Sequence, residues 1–274
     1  MSNKLLSDFL RFCMLSFVVL ILASCADDAE PEYVERPVEE IYNEALDLME
    51  ARELKLAAQA FDEVDRQHPY SVWATKAQLM SAYVYYLNDQ YDEATIALDR
   101  FIDLHPGSRD TPYAYYLRAI TYYEQITDVR RDQKITSLAL QSLTDIVNRY
   151  PDTEYARDAR LKIDLSLDHL AGKEMDIGRF YQERDEYLAA INRYRTVIEH
   201  FQTTTHVPEA LHRLVESYLG LGITDEAQMA AAVLGHNFPG DEWYQDSYSL
   251  LGGKGLAPAA KDGSWLSPLW DWAL

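Results

Sequence analysis

Two clusters of side chains in this 274-residue chain have chemistry that a binding surface would use. The first is aromatic. Of 20 tyrosines, a group falls in two short runs: Tyr83, Tyr85 and Tyr86, then Tyr113, Tyr115, Tyr116, Tyr122 and Tyr123. Successive helical residues are rotated by about 100°, so Tyr83, Tyr85 and Tyr86 cannot all face one core. At least one ring per run must reach a groove or solvent, where a phenol offers an apolar face and a hydroxyl together. Tyr83, Tyr86, Tyr113 and Tyr116 are the predicted groove residues, while Tyr85 and Tyr122 fall where rings pack between helices. The competing reading is that most of these tyrosines simply pack between helices. The second cluster is polar and cationic: Asn192, Arg193 and Arg195. A guanidinium forks two hydrogen bonds onto a carboxylate and recurs as an anchor of protein interfaces. These three residues are a candidate partner contact, with a solvated helix face as the alternative. Arg130, Arg131 and Lys134 form a smaller basic group of the kind that is more often simply solvated.

Catalytic chemistry finds little support. The chain contains no G-x-S-x-G, P-loop, glycine-rich dinucleotide or H-E-x-x-H pattern. His68 and His105 stand directly before prolines. His200, His206 and His212 are spaced by six, which does not align side chains on one helix face. No enzyme activity and no metal site is predicted. Forty-five acidic against 25 basic residues give a formal net charge of −20. That field repels nucleic acid, so no nucleic-acid partner is expected. Few glycines (11) beside so many rings favour a helical protein over a turn-rich β-fold.

The N-terminus says where the chain goes. Lys4 and Arg11 lead into Phe12–Leu22, which is apolar except for Ser16. The run is too short for a permanent membrane helix of about 20 residues, and residues 1–24 read as a secretory signal. Leu22-Ala23-Ser24-Cys25 resembles a bacterial lipobox, whose cysteine is acylated and becomes the first mature residue. The resemblance implies a covalent S-diacylglycerol and N-acyl lipid on Cys25 and no other cofactor. Ala26, rather than Asp, follows the cysteine; among lipoproteins this implies a lipid anchor in the outer membrane, facing the periplasm. An ordinary signal peptide with an incidental cysteine is the alternative. Cys13 leaves with the signal, so neither a disulfide nor a cysteine-based metal site is expected. Residues 25–36, acidic and carrying Pro31, form a linker.

The elements that must position the two clusters repeat. Residues 37–251 are patterned as helices, with alanine anchors at Ala57, Ala94, Ala139, Ala190 and Ala227, separated by 37, 45, 51 and 37 residues. Four residues after the first four anchors stand Phe61, Leu98, Leu143 and Tyr194; twelve after the first three stand Pro69, Pro106 and Pro151. This resembles the tetratricopeptide repeat. The expected fold is an all-α superhelix of about five helix pairs. Small residues let paired helices approach, and proline ends each second helix. Three departures stand out. Thr127–Lys134 is an insertion in the third repeat, Gln202 replaces the fourth proline, and the fourth repeat opens with a long helix from about Thr153 to Gln182. Gly172 and Gly178 are expected to bend that helix. Residues 252–274, with Trp265, Trp270 and Trp272, are expected to form a flexible tail, or a short partner-binding or interfacial segment.

Lipobox, acidic linker and irregular repeats together resemble the essential lipoprotein family of the β-barrel assembly machinery. The stretches that carry the likeness are Phe101-Ile102-Asp103-Leu104-His105-Pro106, Arg149-Tyr150-Pro151-Asp152-Thr153 and Ala190-Ile191-Asn192-Arg193, with His68-Pro69 closing the first repeat. The likeness spans roughly residues 37–238. It implies a non-enzymatic scaffold. The N-terminal repeats would receive the targeting strand of unfolded outer-membrane proteins, whose aromatic end suits the tyrosines. The C-terminal repeats would dock on a POTRA domain of the barrel-forming subunit, with Arg193 at the contact by its place in the motif. This likeness is what singles out Asn192, Arg193 and Arg195 as the predicted partner contact. Companion assembly lipoproteins would also bind. Two alternatives stand beside it. One is another periplasmic repeat lipoprotein, such as a pilotin or an adaptor of a protease or peptidoglycan enzyme. The other is a cell-wall hydrolase, for which residues 252–274 are too short to supply a catalytic domain.

Overall fold

The structure, a computed structural model, describes residues 35–270. The signal segment, Cys25, most of the acidic linker and Trp272 lie outside the described residues. Eleven α-helices follow one another: α1 (Val38–Glu50), α2 (Leu54–Gln67), α3 (Val72–Leu87), α4 (Tyr91–Leu104), α5 (Thr111–Tyr123), α6 (Lys134–Arg149), α7 (Glu154–Gln182), α8 (Tyr187–His200), α9 (Val207–Gly220), α10 (Thr224–Asn237) and α11 (Glu242–Gly252). A single 3₁₀ turn, Ser267–Leu269, comes last, and no strand occurs among the described residues. The all-α repeat fold read from the sequence is the fold observed, with α1/α2 through α9/α10 as five helix pairs and α11 added at the end.

Each pair closes around its anchor. Ala57, Ala94, Ala139, Ala190 and Ala227 are all fully buried, as are Phe61, Leu98, Leu143 and Tyr194 one turn later. The turn inside a pair has its own rule. Arg52, Asp89, Asp185 and Gly222, each five residues before an anchor, adopt positive φ of 63°, 56°, 60° and 75°. Only the last is glycine, the residue that takes this conformation without steric cost. Asp89 and Asp185 instead accept hydrogen bonds from the hydroxyls of Tyr91 and Tyr187, at 2.9 and 2.6 Å.

The ends of the second helices are equally regular. His68, His105, Tyr150, Phe201 and Phe238 share φ between −127° and −135° and ψ between 43° and 58°. Proline follows four of them and forbids further helix. Gln202 follows Phe201 with the same backbone, so packing of the preceding ring holds this geometry where proline is missing. The next helices start on side-chain caps at Ser71, Thr153 and Asp241.

First helices touch their counterparts across repeats (α1 with α3, α3 with α5, α5 with α7, α9 with α11) and so line one inner wall. Helix α7 begins at the Thr153 cap and ends at Gln182, as the sequence indicated. It serves two cores. Ala159, Tyr155 and Ile163 pack with Leu143 and Ile146 of the third repeat, whereas Ala171 and Met175 join the C-terminal core. The helix runs unbroken through Gly172 and Gly178, and both glycines provide room for neighbouring side chains. A Cβ at Gly172 would lie 3.2 Å from Nε2 of His206 and 3.6 Å from Val129 in the insertion. One at Gly178 would lie 2.8 Å from Cδ1 and Cζ of Tyr194.

The tail departs from the flexible end expected of it. Within the described part, Leu266 is fully buried and Leu256, Trp265 and Trp270 pack on the C-terminal core. The Gly- and Pro-rich composition removes helix, but the apolar rings and Leu266 still find an uncovered flank of the last repeat. Helix propensity alone makes Gly178→Ala stabilising by roughly 1 kcal/mol. Overpacking against Tyr194 reverses the sign, and we expect a net loss of about 1–3 kcal/mol in urea unfolding, partly restored by Tyr194→Leu.

Candidate functional site

The predicted tyrosines come together on the inner wall. Tyr83 and Tyr86 of α3 stack with centroids 6.4 Å apart and ring planes 27° from parallel. Tyr113 and Tyr116 of α5 both meet Tyr155 at the start of α7, at 5.7 and 5.2 Å. All five are half-buried, each with part of its ring packed and part open. Burial first, then the nearby hydroxyls of Tyr83, Tyr155 and Tyr86, push the Tyr113 phenol up to about 12. Tyr83, Tyr86 and Tyr113 also pack against one shared core cluster, which sets the α3 pair beside the α5 and α7 rings. Burial and the Asp158 carboxylate likewise raise Tyr116. Its hydroxyl donates to Asp158 Oδ2 at 2.7 Å, and Lys162 Nζ donates to the same oxygen at 2.8 Å. Lys162 also lies 5.5 Å from the centre of the Tyr123 ring. Sequence reasoning missed Tyr155, an isolated tyrosine outside both runs, and Tyr91, which reaches Tyr86 from α4 at 6.2 Å. Proximity in sequence was the only signal used, and both residues arrive from neighbouring helices.

Tyr85, set aside as a packing residue, does pack against the first repeat's core. Its hydroxyl donates to Asp62 at 2.9 Å on the outer side of α3. An outer cleft of about 680 Å³ opens there between α2 and α4, with Tyr85, Gln78 and Phe101 among its lining. Its carboxylates are already engaged: Asp62 by Ser81 and Tyr85, Asp65 by Gln78 and Arg100.

Asn192, Arg193 and Arg195 all lie on α8, but the structure does not assemble them into one patch. Arg193, 42% exposed, donates to Glu174 of α7 at 3.1 Å. Arg195 turns the other way: its Nε donates to Glu199 at 2.7 Å, and its guanidinium lies 4.5 Å from the Trp265 ring centre in the tail. Asn192 is exposed. The expectation of a single cationic contact is corrected accordingly, because two positions apart on a helix is about 200° of rotation. The basic insertion is also engaged. Lys173 donates to the Arg130 carbonyl at 2.9 Å, and Arg130 lies 3.5 Å from Asp176, bracing the loop against α7. His200, His206 and His212 sit apart: His206 is 3.5 Å from Asp168, His212 shares a hydrogen bond with Ser247, and His200 is exposed.

Between α7 and α9 a charged network takes the place of packing. Arg179 donates to both carboxylate oxygens of Glu209, at 3.0 and 3.1 Å. Arg213 bridges Glu209 and Glu216, at 3.3 and 2.8 Å, and Gln182 donates to Glu216 at 2.7 Å. Burial opposes ionisation of Glu216, but hydrogen bonds from His212, Gln182 and Arg213 outweigh it and hold the carboxyl at about 2. A cavity of about 460 Å³ lies against this network. Among the described residues no group of three His, Cys, Asp or Glu is placed to hold a metal ion, and no helix is long and apolar enough to cross a membrane.

Helix pairs stacked so that their first helices present a tyrosine wall define a repeat-solenoid scaffold. Residues 34–234 match the family model YfiO, described as an outer membrane lipoprotein, and the chain belongs to that family. It is similar to proteins named outer membrane protein assembly factor BamD. With that of Caulobacter vibrioides it shares 52% identity over 89% of this chain and 81% of the relative. With that of Rickettsia prowazekii the identity is 45%, over 86% and 94%. With that of Neisseria meningitidis serogroup A it is 34%, over 74% and 79%.

Because the folded-state value of Glu216 is depressed, the stability it contributes is complete above its ordinary value of 4.5 and is lost as pH falls toward about 2. Glu216→Gln should cost about 1–3 kcal/mol at neutral pH. That difference from the parent protein should shrink steadily in urea titrations between pH 6 and 2.5.

Proposed function

We propose that this chain is a lipid-anchored assembly factor for outer-membrane β-barrel proteins rather than an enzyme. It is held by Cys25 at the periplasmic face of the outer membrane. Its N-terminal repeats bind the targeting strand of an unfolded client, and its C-terminal repeats dock a POTRA domain of the barrel-forming subunit, with companion lipoproteins completing the assembly. The observation that carries the client-binding reading is the pair of adjoining aromatic groups, Tyr83 with Tyr86 and Tyr113 and Tyr116 with Tyr155, on consecutive first helices. A targeting strand is extended and ends in an aromatic residue. Such a strand needs ring faces for its side chains and hydroxyl donors for its carbonyl groups, and half-buried tyrosines whose rings are held by their neighbours offer both with little loss of conformational freedom. Membership of the outer membrane lipoprotein family and the names of the relatives support the assembly role. The lipid anchor follows from the lipobox resemblance at Leu22–Cys25.

Tyr86→Ala and Tyr116→Ala should each weaken binding of a synthetic targeting-strand peptide about tenfold, measured by fluorescence anisotropy, while melting temperature stays close to that of the parent. Ile96→Ala on the outer face, where Ile96 is 69% exposed, should leave affinity unchanged. Equal affinity for all three variants would remove the client groove from the inner wall.

A further inference from the structure

The C-terminal segment from Leu256 to Trp270 lies over the last two repeats as a strap with little secondary structure of its own. Its polar ties run mainly to the start of α10. Gln228 donates to the Ala257 carbonyl at 2.7 Å and accepts from the Ala259 amide at its backbone oxygen at 3.2 Å. Lys261 pairs with Asp225 at 3.0 Å, and Ser264 donates to Glu226 at 2.7 Å. Trp265 then reaches further. Its indole N–H donates to the Tyr218 hydroxyl of α9 at 2.9 Å, and its ring covers Arg195 of α8 at 4.5 Å. Trp270 stacks on His236 at 4.5 Å with planes 18° apart.

The Gln228–Ala257 bond and the Lys261–Asp225 pair are exposed, and individual contacts of that kind are weak. A segment held by side chains and a single 3₁₀ turn opens more readily than the helices beneath it. Among its described side chains, Leu266 is the fully buried anchor. Arg195 and Asn192 lie three apart on the same exposed side of α8, and the Trp265 ring covers one face of the guanidinium while the side chain stays 45% exposed. A partner carboxylate approaches a guanidinium edge-on, so the ring alone need not exclude it. The chain around Trp265, however, is tied to Tyr218 and Glu226 beside α8, so a folded domain that reaches Arg195 meets the strap.

We infer that this strap is an intramolecular competitor for the docking face on α8: it must lift Trp265 off Arg195 before a folded partner domain can seat there. The inference rests on the proposed docking role of the C-terminal repeats. The strapped state withholds the face, and the observed affinity is the intrinsic affinity reduced by the fraction of molecules with the strap open. Removing the ring removes the cation–π contact and the indole hydrogen bond together, which raises that fraction.

The test uses the full mature lipoprotein in detergent and the POTRA domains of the barrel-forming subunit as the probe. Trp265→Ala should bind roughly three- to tenfold more tightly than the parent, and adding Arg195→Ala should abolish the gain. Lys261→Glu, which sets like charges against Asp225 and Glu226 without touching the core, should strengthen binding in the same direction if Trp265→Ala proves unstable. Unchanged affinity in both single variants overturns the strap and leaves the docking face standing. Weaker binding overturns it too, since Trp265 would then be part of the contact surface. Absence of binding by parent and variants alike overturns the docking assignment and the competitor role with it.

Discussion

The solenoid depends on close approach between paired helices at positions with almost no side chain. The five anchor alanines are fully buried, and where a glycine stands instead an aromatic ring fills the space. A Cβ at Gly220 would lie 2.7 Å from the Tyr187 ring, nearer than any carbon can sit. Each such contact seats a ring of the neighbouring helix, and where the ring is fully buried, as at Tyr194, this is worth roughly 2–3 kcal/mol of apolar burial. It also fixes the crossing of the two axes, since no other pairing brings ring and gap together. Changing one of these positions changes the angle between helices and hence the curvature of the wall that the repeats build.

That constraint explains why tyrosine is so abundant and why its hydroxyls matter. A ring that only filled the core would be better as phenylalanine. Tyr194 sits inside the fourth repeat, yet its hydroxyl still donates to Gln182 at 2.7 Å, tying α8 to the end of α7. On α3 and α5, consecutive tyrosines cannot all face inward, so the surplus falls on the inner wall. A surface of half-buried rings is thus a direct consequence of building the core from aromatic residues on helices of this pitch. In the C-terminal half the same wall is charged instead. Arg179, Arg213, Glu209 and Glu216 hold α7 and α9 where packing is thin, which gives the two halves different surface chemistry on one scaffold.

Much of this was legible in the sequence because it depends on spacing. Alanine anchors, prolines and the long fourth-repeat helix are periodic or local signals, and the helix from the Thr153 cap to Gln182 falls where the pattern ended it. The candidate groove was half legible. Tyr83, Tyr86, Tyr113 and Tyr116 cluster along the chain, but Tyr155 joins them from α7, and its approach depends on how two repeats stack. The positive-φ positions escaped notice because three of the four carry Arg or Asp rather than Gly. The α8 arginines were misread as a patch because sequence neighbours two apart point to different partners. The tail was misread because Gly and Pro signal the loss of helix, which is not the same as the loss of packing. Leu266 and Trp265 dock by contacts that no periodicity encodes.

The most direct measurement is site-specific photo-crosslinking in living cells, with a photoreactive residue placed in turn at Tyr83, Tyr113 and Tyr155 on the inner wall. Matching probes go on the exposed outer face at Ile96 and Leu104. Adducts with nascent outer-membrane proteins from all three inner positions and from neither outer one are the predicted result. Client adducts from the outer face, with none from the inner wall, would contradict a client-binding groove built from these tyrosines.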